Sequence, residues 1–161
     1  MINKKLDETD HQILNLLQKD ARISHKEIAH QVHKSVTAVH VRVMRLLEEG
    51  YIKSYTVLVD EKKIGRGLTG FVEVRLEKHT ETTLTTFMQA VIKLDEVMEC
   101  YHLTGDYDFL LRVAIHDMNE YSQVLMKKLS NLPGIENFTS HFAMKEVKRE
   151  TAYILGERSL Q

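Results

Sequence analysis

Ser35-Val-Thr-Ala-Val-His-Val-Arg-Val-Met-Arg-Leu-Leu-Glu-Glu-Gly50 is the stretch whose periodicity decides what kind of molecule this is. Ser35 suits an N-cap and Gly50 a C′ residue, and between them Val39, Val43 and Leu46 recur at the i, i+4, i+7 spacing of a buried stripe. With Val39 turned inward, 100° steps put Thr37, His40, Val41, Met44 and Arg45 on the outer side and Arg42 on its flank, with no acid before Glu48. Short polar groups, a β-branched methyl surface and two guanidiniums suit a DNA major groove. An amphipathic helix with a solvated basic face has the same pattern, so the neighbouring segments must decide.

Upstream, Asp7 is placed to cap a first helix carrying Ile13, Leu14 and Leu17, ending near Asp20. Ser24-His-Lys-Glu27 has the form of a capping box and opens a short helix with Ile28, Ala29 and Val32 inward. Only His33-Lys34 separates it from the Ser35 helix, which is the helix-turn-helix arrangement. Downstream, Ile52, Ser54, Thr56 and Leu58 alternate with Lys53, Tyr55, Val57 and Val59 as in a strand. The charged run Asp60-Glu-Lys-Lys-Ile-Gly65-Arg-Gly67 then marks a linker.

From Leu68 the pattern changes to strand, helix, strand, twice over. Phe71, Glu73 and Arg75 alternate with Val72, Val74 and Leu76; Thr80 opens a helix with Leu84, Phe87, Met88, Val91 and Leu94; a second strand runs from Val97 to Leu103. After the turn Gly105-Asp106-Tyr107-Asp108 comes a strand through Ile115, then a helix capped by Asp117 with Tyr121, Val124, Leu125 and Leu129 inward. Pro133-Gly134 stops it, and Ile135 to Val147 is read as the fourth strand. Two such units give a ferredoxin-like βαββαβ domain, with both helices on one face of an antiparallel sheet and the other face left to be covered. The expected division is 1–59 for the helix-turn-helix domain, 60–67 for the linker, 68–155 for the ferredoxin-like domain and 156–161 for a frayed tail, an α+β chain overall.

Leu6-Asp7-x-x-Asp10-x-x-Ile13-Leu14, Ala21-Arg22-Ile23-Ser24, Ile28-Ala29-x-x-Val32 and Arg42-Val43-x-Arg45-Leu46-x-Glu48-Glu49-Gly50-x-Ile52 resemble the N-terminal half of Lrp/AsnC (feast/famine) transcriptional regulators. Gly105-Asp-Tyr-Asp-Phe-Leu-Leu-Arg-Val and Leu132-Pro-Gly-Ile135 resemble motifs of the family's C-terminal half. The likeness runs from Leu6 to about Ile154. It implies a winged-helix-like DNA-binding domain, a ferredoxin-like domain that binds an effector and oligomerises, and dimers assembling further, for instance to octamers. One departure stands out. The family often reads Gly-Leu-Ser-Pro ahead of the recognition helix, whereas this chain has His33-Lys34-Ser35-Val36, so His33 must take the backbone of the glycine.

The whole chain constrains less. It has 161 residues, a net charge of −1 and one cysteine, so DNA binding must come from a local patch or dimeric presentation, and no internal disulfide forms. No apolar run suits a bilayer and no segment resembles a signal peptide, which predicts a cytoplasmic protein with no membrane partner. His30 and His33 stand at i, i+3, but no Cys or acid supports them, so no metal is expected. Neither a nucleophile-base motif nor a nucleotide fingerprint is present, hence no catalytic residue, no cofactor and no enzymatic role is assigned.

The reading is a sequence-specific, double-stranded-DNA-binding regulator acting as a homodimer or larger assembly. DNA contacts are assigned to Ser24, Ser35, Thr37, Ala38, His40, Val41, Arg42, Met44 and Arg45, the arginines at phosphates or guanine edges. An effector, an amino acid by the family resemblance, is assigned to the turn, where backbone N–H groups can cradle a carboxylate and Asp106 or Asp108 can accept from an ammonium. Gly105 and Tyr107 belong to that turn, and Thr139, Ser140 and His141 are expected to complete the pocket. The rivals are a ligand-binding protein or enzyme on the second domain without a DNA role, and an RNA-binding sheet stacking bases on Phe71, Tyr101, Tyr107 and Phe109.

Overall fold

The computed structural model describes residues 5–156, and the expected tail beyond Gly156 lies outside the described residues. The chain divides into two compact units, one holding the residues up to Leu58 together with those from Lys148, the other Val59–Val147.

In the first unit, α1 (Glu8–Lys19), α2 (His25–Gln31) and α3 (Val36–Glu48) enclose a small core of Ile13, Ile28, Val39, Val43 and Leu46. The reciprocal capping box is found at α1, where Asp7 accepts the Asp10 amide at 2.9 Å and Asp10 accepts the Asp7 amide at 3.1 Å. Ser24 caps α2 by accepting the Glu27 amide at 3.1 Å, without the reciprocal bond that Ser-x-x-Glu had suggested. Gly50 follows α3 with φ 76°, and the Ile52 amide closes back on the Leu46 carbonyl at 3.0 Å.

One expectation fails here. The segment read as a strand over 52–59 pairs with no strand among the described residues, and Val57 is 82% exposed. Its alternation is strand-like, but a strand needs a ladder partner, and the described part of the unit offers none. The residues from Lys148 pack with the first compact unit. Asn15 and Gln18, one turn apart on α1, each give a donor and an acceptor to this tail: Asn15 to the Leu155 carbonyl (2.9 Å) and amide (3.2 Å), Gln18 to the Tyr153 carbonyl (3.0 Å) and amide (2.8 Å). Two side-chain amides thus do what a neighbouring strand would do for residues i and i+2.

The second unit contains β1 (Leu68–Leu76), α4 (Glu81–Val91), β2 (Val97–His102), β3 (Phe109–Ile115), a helical run made of α5 (Met118–Glu120), a π-helical turn (Tyr121–Leu125) and α6 (Met126–Ser130), and β4 (Ile135–Phe142). The sheet order is β2-β3-β1-β4 with every neighbouring pair antiparallel, as the ferredoxin-like pattern requires. Val72, Val74 and Leu76 of β1 and Phe109, Leu111 and Val113 of β3 meet Phe87, Val91, Leu125 and Leu129 in the core. The π turn interrupts what the sequence presents as one helix. Tyr121, Leu125 and Leu129 recur every four residues, wider than an α-helical turn of about 3.6, and the wider π turn keeps all three buried. β4 stops at Phe142, short of Val147, because its partner β1 begins at Leu68: Gly70 pairs with Phe142 and the Ala143 amide makes the last bond, to the Thr69 carbonyl at 2.9 Å.

Candidate DNA-reading face and effector turn

Ser35 fixes the start of α3 by accepting the Ala38 amide at 3.2 Å. With Val39, Val43 and Leu46 buried against α1 and α2, the opposite side presents Thr37, His40, Val41 (61% exposed) and Met44 (42% exposed), while Ala38 is half-buried. Ser24 is exposed at the start of α2, and the next residue, His25, brings its ring to 5.4 Å from that of His40. The starts of α2 and the outer side of α3 therefore form one continuous surface, with methyl groups suited to thymine and hydroxyl and imidazole groups suited to base edges.

Arg42 and Arg45 are not free cations. Arg42 Nη1 lies 2.8 Å from Asp7 Oδ2 and 2.7 Å from Asp10 Oδ1, and Arg45 Nη2 lies 2.6 Å from Asp10 Oδ2. Both guanidiniums nonetheless line a shallow depression of about 510 Å³ on the outer side of α3, together with Ser35, Thr37, Ala38 and Val41.

In the second unit the turn residues part company. Gly105 has φ 125° with open space where a Cβ would stand, and Asp106 is exposed. The Asp106 carbonyl accepts two bonds from Arg75, from Nε at 2.9 Å and Nη2 at 2.7 Å, and the same guanidinium lies 5.8 Å from the Tyr107 ring centroid. Asp108, by contrast, is only 9% exposed: Oδ2 accepts the Leu76 amide at 2.7 Å and Oδ1 is 2.9 Å from His79 Nε2. Its carboxylate is engaged by the scaffold on both oxygens, whereas Asp106 keeps an exposed position.

Nor do Thr139, Ser140 and His141 stand together. Thr139 is opposite Glu73 and His141 opposite Phe71, on the sheet face away from the helices, whereas Ser140 is opposite Val72 and accepts the Tyr121 hydroxyl at 2.7 Å on the helix face. Alternation along a strand puts neighbours on opposite faces. Of the aromatic residues considered for base stacking, Phe109 is buried in the core against Phe87 at 4.5 Å, while Phe71 and Tyr101 are exposed.

Residues 6–53 match the family described as winged helix-turn-helix DNA-binding, and residues 69–153 match the Lrp/AsnC ligand binding domain. The chain belongs to the Lrp/AsnC family of transcriptional regulators. The leucine-responsive regulatory protein of Escherichia coli K12 is 37% identical to it over 155 residues, 96% of this chain and 94% of that protein. A Neisseria meningitidis transcriptional regulator solved as a complex with L-Met has a TM-score of 0.87 at 31% identity, covering 92% of this chain and 96% of its own. An AsnC family regulator from Agrobacterium tumefaciens gives a TM-score of 0.86 at 31% identity with the same coverage.

This Lrp/AsnC protein is thus a DNA-binding transcriptional regulator with a ligand-binding domain. Three residues that bear on its sites escaped the sequence reading: Asp10, His25 and Arg75. Asp10 stands in the sequence only as part of the Asp7-x-x-Asp10 run, and the packing of α1 on α3 brings it to two arginines. Arg75 was visible as an outward strand position, but its link to Asp106 depends on sheet register.

Proposed function

We propose that this protein acts by binding, not by catalysis, as a cytoplasmic homodimer that places two copies of α3 in successive major grooves and changes its DNA affinity when an amino acid binds. The outer side of α3, exposed, free of acids before Glu48 and set by the Ser35 cap, carries this reading. Thr37, His40, Val41 and Met44 meet bases, Ala38 permits close approach, Ser24 and Ser35 lie against the backbone, and Arg42 and Arg45 address phosphates or guanine edges. Dimerisation is supported by the 52–59 segment, which has no strand partner among the described residues, and by exposed Phe71 and Tyr101 on the uncovered sheet face. Association of dimers into octamers follows the family likeness. Among the described residues no helix is long and apolar enough to cross a membrane.

For the effector, we infer a site at Gly105, Asp106 and Tyr107, with the Arg75 guanidinium facing the ligand carboxylate and the Asp106 side chain its ammonium. Thr139 lies on the same sheet face as Arg75, while Asp108 and Ser140 shape the site from within the scaffold. The L-Met complex of the Neisseria meningitidis relative supports an amino acid as ligand class. Anisotropy titration of a duplex selected by the intact protein from a random library tests the DNA reading: affinity should fall steeply between 50 and 200 mM salt, by roughly a thousandfold or more for six or more phosphate contacts. Absence of duplex binding at the lower salt would refute it. A thermal-shift screen of the twenty amino acids tests the effector class independently.

A further inference from the structure

Asp10 is the most deeply buried acid described, 1% exposed, yet it is an ion with both carboxylate oxygens engaged. Oδ1 accepts from Arg42 Nη1 at 2.7 Å; Oδ2 accepts from Arg45 Nη2 at 2.6 Å and from the Asp7 amide at 3.1 Å. Burial acts to raise its pKa, but the hydrogen bonds from Arg45, the Asp7 amide and Arg42 outweigh it and hold the carboxyl at about 2. With Asp7, which also takes Arg42 Nη1, and Glu49, whose Oε2 lies 3.9 Å from Arg45 Nη1, three acids face two bases, so this part of the α3 face has oriented donors but no net positive charge. Arg42 commits one of its three guanidinium nitrogens to these bonds, and Arg45, whose Nη1 is buried 3.9 Å from Glu49 Oε2, is 22% exposed through the rest of its side chain.

We propose that Asp10 is a positioning residue for DNA recognition: it holds the Arg42 and Arg45 guanidiniums at the rim of α3, so that their remaining N–H donors reach DNA already oriented. This rests on the reading that α3 docks on duplex DNA. A free arginine loses much rotamer freedom when it binds, and its full charge attracts any phosphate regardless of sequence. An arginine already fixed by a buried carboxylate loses less freedom, and its neutralised charge adds little to binding at random sites. Both effects favour the correct sequence over the bulk of the duplex. The depression lined by Arg42, Arg45, Ser35, Thr37, Ala38 and Val41 is where such donors would be read.

Asp10→Asn keeps the shape and removes the charge, releasing both arginines. With the intact chain, binding is measured to a library-selected duplex and to an unselected duplex of the same length. The selected duplex should bind about tenfold more weakly, while the unselected one binds as well or better and its log-log salt slope steepens by about one. Loss of a merely structural contact would instead weaken both duplexes by the same factor, and that result would overturn the proposal. Should Asp10→Asn fail to fold, Arg42→Lys decides: it keeps the charge and the salt slope but loses the guanidinium fork, and the ratio between the two duplexes should fall about tenfold. A wild-type ratio in Arg42→Lys also overturns it. If the unaltered protein binds neither duplex, the DNA reading itself has failed and this inference with it.

Discussion

Asp108 Oδ2 accepts the backbone N–H of Leu76 at 2.7 Å, tying the last residue of β1 to the turn that opens β3. The contact is buried on both sides, and the Asp108 amide adds a second link to the Val74 carbonyl at 2.9 Å. The carboxylate therefore stands where another main-chain carbonyl would continue the ladder.

Asp108→Ala should cost about 1–3 kcal/mol, the penalty of leaving a buried amide without an acceptor. Asp108→Asn keeps an acceptor oxygen and should recover most of that loss. Urea unfolding of the three proteins measures it, and a wild-type midpoint in the alanine variant would show that the Leu76 amide has found another partner.

Arg75 organises the exposed side of the same turn through its two bonds to the Asp106 carbonyl. Arg75→Ala should abolish the thermal shift produced by whichever amino acid the screen identifies, with the melting temperature of the unliganded protein nearly unchanged. Arg75→Lys keeps the charge but cannot make both bonds, so it should restore only part of the shift. A full ligand-induced shift in Arg75→Ala would move the effector site away from this turn.

Asp106 and Asp108 look equivalent along the chain, two acids flanking one tyrosine. What separates them is the register that sets Asp108 beneath Leu76, a partner 32 positions earlier, and no local pattern carries that information. The bonds from Asn15 and Gln18 to the tail span 140 and 135 positions, and polar residues on a helix ordinarily face water. By contrast, Val39, Val43 and Leu46 declare the buried side of α3 by spacing alone, and the βαββαβ order was legible for the same reason. The grouping of Thr139 with Ser140 went against a signal that was present. Phe138, Ser140 and Phe142 form one alternating set, and strand period alone puts Thr139 on the other face.

Acid should weaken the first unit through Asp10. Its folded pKa, about 2, lies below the ordinary 3.8, so the ionised cluster stabilises fully above about pH 4 and loses that contribution as pH falls through about 2. At about 1.36 kcal/mol per pH unit of displacement, the stake is about 2 kcal/mol. Urea unfolding followed by circular dichroism at pH 7, 4 and 2 should show the gap between wild type and Asp10→Asn narrowing towards the acid end. A gap independent of pH would mean that the asparagine variant loses packing and not charge.

His33 stands at φ 51°, the only non-glycine residue with positive φ among the described residues, between the end of α2 and the Ser35 cap. A side chain in this region costs roughly 1–2 kcal/mol, whereas glycine adopts it freely but loses about 0.4–1 kcal/mol through its looser unfolded chain. His33→Gly should therefore stabilise by about 0.5 kcal/mol or more. Val36 offers an independent route, since it is the first residue of α3 and Ser35 before it has φ −72° and ψ 153°, a backbone that a following proline accepts. Val36→Pro should add about 0.4–1 kcal/mol by restricting the unfolded chain. Calorimetry of each variant should give an upward shift of about 1–4 °C. A lower melting temperature for His33→Gly, with Val36→Pro still higher, would show that the imidazole makes interactions worth more than the backbone strain it imposes.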